Sequence, residues 1–355
     1  MMKRMLRAKR ALAALAVLLL LAGCSSGSAQ VSSAHTPSAS ESERTFFAMD
    51  TVMTLRLYKG GDEAALDAAE DRVKELEALW SVTDESSEIY ALNRNGFAAL
   101  SGDTCGLLAN ALELCGRTGG ALDVTIYPVL RAWGFTTGEY AVPDSETIEE
   151  LLARVDYAQV VLDEASGDAA LPDGMEIDLG SVAKGYAGDV LAGLLKAHGV
   201  ESAMLDLGGN IQTVGAKPDG SLWRVGVRGP EEDEILGVVE VVDRAVITSG
   251  GYERYFERDG VRYWHIMDPE TGAPARSGLA SVTVVGEAGV VCDALSTAMF
   301  VMGREGAIDF WRQYRDRLGF ELILVDDDGS VTVTAGLEDS FTLVQTERAL
   351  TVARL

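Results

Sequence analysis

The 355-residue chain has three histidines, four cysteines and eight prolines, and it is short of positive charge. No Cys/His run has the spacing of a zinc site, so a structural zinc module is excluded. There is no complete phosphate loop and no dinucleotide fingerprint, which excludes nucleotide binding of the Walker or Rossmann kind. Thirty basic residues stand against 55 acidic ones, a formal charge of −25. Five of those bases and none of the acids lie in residues 1–24, so the remainder carries −30. A surface this acidic argues against nucleic acid and against a polybasic membrane patch, and is compatible with a bound divalent cation.

The scarce bases and cysteines are unevenly placed. Lys3, Arg4, Arg7, Lys9 and Arg10 precede an apolar run from Ala11 to Leu21, too short for a comfortable membrane span. Leu21-Ala22-Gly23-Cys24 follows and resembles the lipobox of bacterial lipoproteins, in which Cys24 is lipidated. Residues 1–24 are therefore expected to be a lipoprotein signal peptide. Residues 25–44, rich in serine, are expected to be a flexible tether. Residues 45–355 are expected to form one catalytic domain. The other cysteines, Cys105, Cys115 and Cys292, are odd in number, so they form no complete disulfide framework. Cys105 and Cys115 lie ten apart in an expected helix, about 15 Å along its axis and beyond disulfide reach.

Periodicity sets out the elements. Phe46 to Leu55 reads as one strand and Asp62 to Trp80 as an amphipathic helix, with Leu66, Ala69, Val73, Leu76 and Trp80 on one face. Ser81 to Asn95 reads as polar loop with short helical turns. Helices are expected from about Asp103 to Arg117, after Asp144, from about Ala183 to His198, over Gly289–Gly303 and over Glu305–Leu318. Strands are expected at Val160–Leu162, Met175–Ile177, Ser202–Leu207, Leu222–Arg228, Gly237–Val242, Ala245–Thr248 and Leu279–Gly286. Hairpins turn at Arg258-Asp259-Gly260 and Asp328-Gly329. Strands outnumber long helices and neighbouring strands join as hairpins, so the fold class is α+β with largely antiparallel sheets flanked by helices.

Met175 to Leu191 (MEIDLGSVAKGYAGDVL) holds a carboxylate, a hydroxyl, a cation and a helix N-terminus within one turn of chain. Such a terminus offers unpaired N–H groups and partial positive charge to a phosphate. It is also an ordinary strand–turn–helix. Asp293 and Thr297, at i and i+4, share one helical face. They fit either a hard cation or a helix-dipole Asp beside a back-bonding Thr. Asp123, after Gly119-Gly120, fits a turn cap as readily as a ligand contact.

Five stretches in one order decide among these readings. Gly120-Ala-Leu-Asp-Val-Thr125, Asp178-Leu-Gly-Ser-Val-Ala-Lys-Gly-Tyr186, Leu205-Asp-Leu-Gly-Gly-Asn210, His265-Ile-Met-Asp-Pro-Glu-Thr-Gly272 and Asp293-Ala-Leu-Ser-Thr297 together resemble the ApbE-like flavin transferases. The resemblance runs from about Phe46 to about Gly303 and takes in Trp133-Gly134-Phe135. It implies a T-fold-like domain with FAD in a cleft between two layered halves. It implies a Mg²⁺-dependent FAD:protein FMN transferase that moves FMN to a Thr or Ser hydroxyl and releases AMP. The acceptors implied are extracytoplasmic or membrane redox proteins, such as subunits of Rnf-type or sodium-pumping NADH:quinone reductases. The enzyme would stand lipid-anchored on the outer face of the membrane.

Carried onto this sequence, Ser181, Asp293 and Thr297 match the metal positions, with Ser296 as a weaker candidate. Met49, Ala121, Leu122, Asp123, Asp178, Lys184 and Met267 match FAD contacts, and Thr83 lies in a loop near the nucleotide. The family also shows an acidic residue at the place of Lys184, so that charge is not essential to the chemistry. His265 is the candidate base, with Asp293 as the other catalytic group. Two alternatives remain at this point: FAD hydrolysis to FMN and AMP, and a flavin-binding lipoprotein without catalysis.

Overall fold

A computed structural model describes residues 41–231 and 234–355; the expected signal peptide, Cys24 and most of the tether lie outside the described residues. The first element, β1 (Ser42–Ala48), begins inside the stretch read as tether, so residues 42–44 belong to the folded body. It turns directly into β2 (Thr51–Lys59). The single strand expected over residues 46–55 is therefore a hairpin. Its turn is Met49–Asp50, both at positive φ (48° and 57°). The sequence offers no glycine or asparagine there, the usual hairpin signal. Tertiary contact holds the turn instead, because the Met49 N–H donates to Glu77 Oε1 at 2.6 Å.

Helix α1 (Glu63–Trp80) is capped by Asp62 and buries the expected face. The polar loop after it contains α2 (Glu88–Asn95), started by the Ser87 cap and stopped by Gly96 at φ 69°. Then come β3 (Phe97–Ala99), α3 (Gly102–Arg117), the unanticipated α4 (Tyr127–Trp133) and α5 (Ser145–Leu152). β5 (Asp168–Ala170) pairs with β3 on one side and with β4 (Val161–Asp163) on the other in a small antiparallel sheet. Met175–Ile177 is extended but is not a strand. Among the described residues no ladder partner reaches it, and the Asn93 side chain takes that place. Its Nδ2 donates to the Ile177 carbonyl at 2.8 Å and its Oδ1 accepts the Ile177 N–H at 2.7 Å.

Beyond α6 (Ala183–Ala197) come β6 (Ser202–Leu207), β7 (Ile211–Val214), β8 (Trp223–Arg228), β9 (Ile235–Val241), β10 (Ala245–Gly250), β11 (Tyr255–Arg258), β12 (Val261–Trp264) and β13 (Leu279–Gly286). Helix α7 (Gly289–Leu318) breaks at Gly303 (φ 73°, ψ 175°), where two helices were expected. β14 (Phe320–Asp326), β15 (Val331–Thr334), β16 (Phe341–Leu343) and β17 (Leu350–Ala353) complete the chain.

Among the described residues the main sheet has nine strands in the order β1-β2-β6-β7-β10-β13-β14-β15-β17. Every pairing in it is antiparallel except β15 with β17. Helices α1, α6 and α7 cover one face through a core that includes Leu55, Val73, Leu191, Leu207 and Phe300. The sheet β16-β9-β8 covers part of the other, through Trp223, Val239, Ile323 and Phe341. This is the expected α+β arrangement. The described residues form one compact unit. The three cysteines after Cys24 are buried and unpaired. Among the described residues, no helix is long and apolar enough to cross a membrane.

Candidate active site

A cavity of about 580 Å³ opens among the β1–β2 turn, the β6–β7 turn, β10, the loop before α4, and the starts of α6 and α7. It lies in the size range of small-molecule sites. Met49, Ala121, Leu122, Asp123, Asp178, Ser181, Lys184, His265, Met267, Asp293 and Thr297 all line it. Thr83 does not line it and hydrogen-bonds Ser81. Nor does Ser296, whose hydroxyl donates to the Asp293 carbonyl and meets Ser249 Oγ at 2.7 Å.

Two loops are braced against each other beneath this cavity. Asp123 is buried and accepts the Thr125 N–H (2.8 Å), the Thr125 hydroxyl (2.6 Å) and the Tyr157 N–H (3.0 Å). The turn-cap reading of Asp123 is thus correct as structure, and the residue lines the cavity as well. Burial raises its pKa, against the pull of those donors. The Asp178 N–H donates to the Val124 carbonyl at 2.9 Å, and the Asp178 side chain accepts the Gly180 N–H at 2.6 Å. Burial raises Asp178 too, opposed by Gly180, Arg254 and Lys184. Ser181 does not cap α6; Val182 holds the cap position with no side-chain bond. Ser181 lines the cavity just before α6, where the first N–H groups of the helix are already taken, Ala183 by the Leu179 carbonyl and Gly185 by Asp293.

Helices α6 and α7 meet with their backbones nearly in contact at Gly185 and Gly289. Helix α7 has no side-chain cap of its own. Asp189, on α6, supplies one by accepting the N–H groups of Gly289 (2.7 Å) and Val290 (2.9 Å). One turn later Asp293 Oδ2 accepts the Gly185 N–H at 2.8 Å. Asp293 is 5% exposed, and burial raises its pKa while Lys184 opposes the rise. The Asn210 amide nitrogen nearby is buried without a hydrogen-bond partner.

His265 leaves β12 with its ring fixed by a backbone atom. The Arg254 carbonyl faces both the His265 N–H (3.1 Å) and its Nδ1 (3.2 Å). A carbonyl only accepts, so Nδ1 carries the proton and Nε2 keeps a free lone pair. Burial, then the guanidinium of Arg254, push the imidazole down to about 4, so it is neutral at pH 7. Arg254 is itself held by the Phe135 carbonyl at 3.0 Å. The Asp268–Gly272 turn closes as its composition predicts, and Trp133 Nε1 ties it to α4 through the Gly272 carbonyl at 2.8 Å.

Sequence reasoning missed Arg228, Arg254 and Thr136, and gave no role to Asp206 and Asn210 of the Leu205–Asn210 motif; all five line the cavity. Only the paired glycines of Gly208-Gly209-Asn210 and the approach of a hairpin to His265 marked their neighbourhoods. With Lys184 the cavity holds three cationic side chains against six carboxylates (Asp50, Asp123, Asp178, Asp206, Glu253, Asp293). A neutral imidazole, three cationic side chains and the carboxylates can bind a polyanion and take a proton, provided added positive charge offsets the excess of acid.

Comparison with known proteins gives a consistent result. The ApbE family model matches residues 49–320. The chain is 34% identical over 323 residues to the FAD:protein FMN transferase of Treponema pallidum, covering 84% of this chain and 88% of that one. It is 36% identical over 309 residues to that of Vibrio cholerae, covering 83% and 88%. Among solved structures, the ApbE protein of Thermotoga maritima superposes with a TM-score of 0.77 at 33% identity, covering 82% of this chain and 96% of that one. The Vibrio cholerae flavin transferase ApbE gives 0.73 at 27% identity, covering 84% and 99%.

Proposed function

The chain belongs to the ApbE family, and on that premise we propose that its cleft is an FAD:protein FMN transfer site. The observation that carries the reading is that residues from all five motifs, among them Asp123, Asp178, Ser181, Lys184, Asn210, His265, Asp293 and Thr297, line one cavity together with Met49. FAD is the substrate. The acceptor is a Thr or Ser hydroxyl of an extracytoplasmic redox protein, of the kind found in Rnf-type or sodium-pumping NADH:quinone reductase subunits. Cys24 anchors the enzyme to the membrane by a lipid, and the Ser-rich segment spaces the domain from it.

The donor set fits Mg²⁺. Among the described residues there is no cluster of three or more His, Cys, Asp or Glu side chains for a metal. Mg²⁺ does not need one, since it is commonly held by one or two carboxylates with substrate phosphates and water. Asp293, Thr297 and Ser181 offer hard oxygens at one wall of a cavity that is net acidic. Bound there, Mg²⁺ would neutralise pyrophosphate charge.

The protein residues do the rest. Lys184, Arg228 and Arg254, which line the cavity, hold the pyrophosphate. The acceptor oxygen attacks the FMN-side phosphorus, the bond to the AMP oxygen breaks, and the hydroxyl proton passes to His265 Nε2. Nδ1–H, kept on the Arg254 carbonyl, aims the ring throughout.

The test is intact-mass spectrometry of an acceptor domain incubated with the enzyme, FAD and Mg²⁺. One added FMN-phosphoryl mass, abolished by EDTA and by Asp293→Ala, is expected. Wild-type activity in Asp293→Ala overturns the metal assignment. Release of FMN and AMP without an adduct replaces the transferase by the hydrolase.

A further inference from the structure

Strand β1 is an open edge of the main sheet among the described residues. It pairs with β2 from Ser42↔Leu57 to Ala48↔Thr51 without a bulge. A two-residue turn makes Ala48 and Thr51 a hydrogen-bonded pair, and alternation makes Phe46, Arg44 and Ser42 hydrogen-bonded too. The N–H and C=O groups of Glu43, Thr45 and Phe47 therefore point outward. Soluble proteins usually blunt such an edge with proline, lysine, a bulge or a covering segment. Here the outward positions carry no proline or lysine, the register is unbroken, and Glu43 is spent on Arg56 at 2.5 Å. Toward the end of the strand Phe47 is 66% exposed and Val52, directly opposite it, 57%. The strand then runs straight into the cavity, since Met49, Asp50 and Thr51 line it.

We propose that β1 is the docking strand for the acceptor protein: an extended acceptor segment pairs with the outward groups of Glu43, Thr45 and Phe47, seats an apolar side chain on Phe47 and Val52, and so carries its Thr or Ser into the cleft. This rests on the transferase reading, which requires a protein substrate to reach that cleft. Main-chain pairing would give the affinity and the apolar contact the register. At about 3.3 Å per residue, the turn lies only two residues, roughly 7 Å, beyond Phe47. An acceptor hydroxyl two or three positions past the paired stretch therefore falls within the cavity. Continuity with the cleft selects this occupant over a second copy of the chain, which would use the edge but not the cavity.

Thr45→Pro tests it, because proline removes one outward N–H and is tolerated where an edge residue makes no ladder bond. The probe is the soluble domain of a sodium-pumping NADH:quinone reductase subunit, with the full-length enzyme. Thr45→Pro is expected to lower kcat/KM for that domain at least tenfold through KM, leaving FAD affinity unchanged, while Thr45→Val behaves as wild type. By hydrogen exchange, the amides of residues 43, 45 and 47 are expected to be open in the free enzyme and protected on adding the domain. Wild-type transfer by Thr45→Pro, an equal loss in Thr45→Val, a parallel loss of FAD affinity, or amides already protected without the domain would each overturn the proposal. So would concentration-dependent dimerisation that Thr45→Pro abolishes without touching transfer. Protection without any adduct from the wild-type enzyme would uphold the docking strand and sink the transferase reading.

Discussion

Gly185 donates its backbone N–H to the Asp293 carboxylate at 2.8 Å, and a Cβ on Gly185 would stand 2.7 Å from the Asp293 Cβ. The same Cβ would lie 2.2 Å from the Gly289 carbonyl oxygen. The contact between α6 and α7 thus sets where the carboxylate sits. Gly185→Ala must part the helices, at a cost of about 1–3 kcal/mol for overpacking. The Mg²⁺ concentration for half-maximal transfer is expected to rise at least tenfold. Urea unfolding and a Mg²⁺ titration check the two effects separately.

Asn93 stands in for a missing strand. Asn93→Ala leaves the Ile177 N–H and carbonyl without partners at a residue that is fully buried. The expected loss is about 1–3 kcal/mol for each group left unsatisfied. Since Asp178 follows directly, KM for FAD should rise as well. Denaturant midpoints and FAD titration measure both, and unchanged FAD binding would separate the brace from the site.

As the proposed base, His265 must be in its neutral form, so pH should affect it only on the acid side. Its folded pKa of about 4 lies below the ordinary imidazole value of 6.5, so the unfolded chain takes up the proton first. Stability from this group is complete above pH 6.5 and is lost as pH falls toward about 4. His265→Gln should abolish that dependence in urea midpoints taken against pH. It should also lower transfer by about 10²–10⁴ while FAD binding persists.

Arg254 reaches His265 in two ways, and substitution separates them. Arg254→Gln removes the guanidinium, which after burial is the largest influence holding the imidazole down, and keeps the backbone carbonyl that fixes the tautomer. The acid limb of the pH–rate profile should move upward while transfer at neutral pH survives at a reduced rate. Arg254→Lys should leave the limb in place. A profile unmoved in Arg254→Gln would show that burial alone sets the imidazole.

Much of the fold was legible where local chemistry is strong. Asp62 and Asp144 cap the helices they announce, Gly303 breaks α7 where a break was expected, and Asp259-Gly260 and Asp328-Gly329 turn their hairpins. The Met49–Asp50 turn escaped because it holds no glycine or asparagine and Met49 does not favour positive φ; the bond that the Met49 N–H donates to Glu77 holds it. Met175–Ile177 was misread because an apolar, extended stretch looks the same whether its partner is a strand or the side chain of Asn93. At the site, the motif residues were found by their resemblance to a family. Arg228 and Arg254, lying between motifs on hairpins, gave no local signal.

The sequence alone determined the acidity, the amphipathic helices, the turn chemistry and the five ordered motifs, because each depends on neighbours within a few residues. Tertiary structure decided what those motifs do together. The Asp189 cap on α7, the Gly185 N–H on Asp293 and the brace of Asn93 on Ile177 join residues about 84 to 108 positions apart. The tautomer of His265 depends on the β11–β12 hairpin that lays the Arg254 carbonyl beside it. No periodicity encodes such contacts. They exist because α6 and α7 pack on one face of a nine-stranded sheet closely enough for backbone to meet backbone, and that closeness is a property of the assembled core.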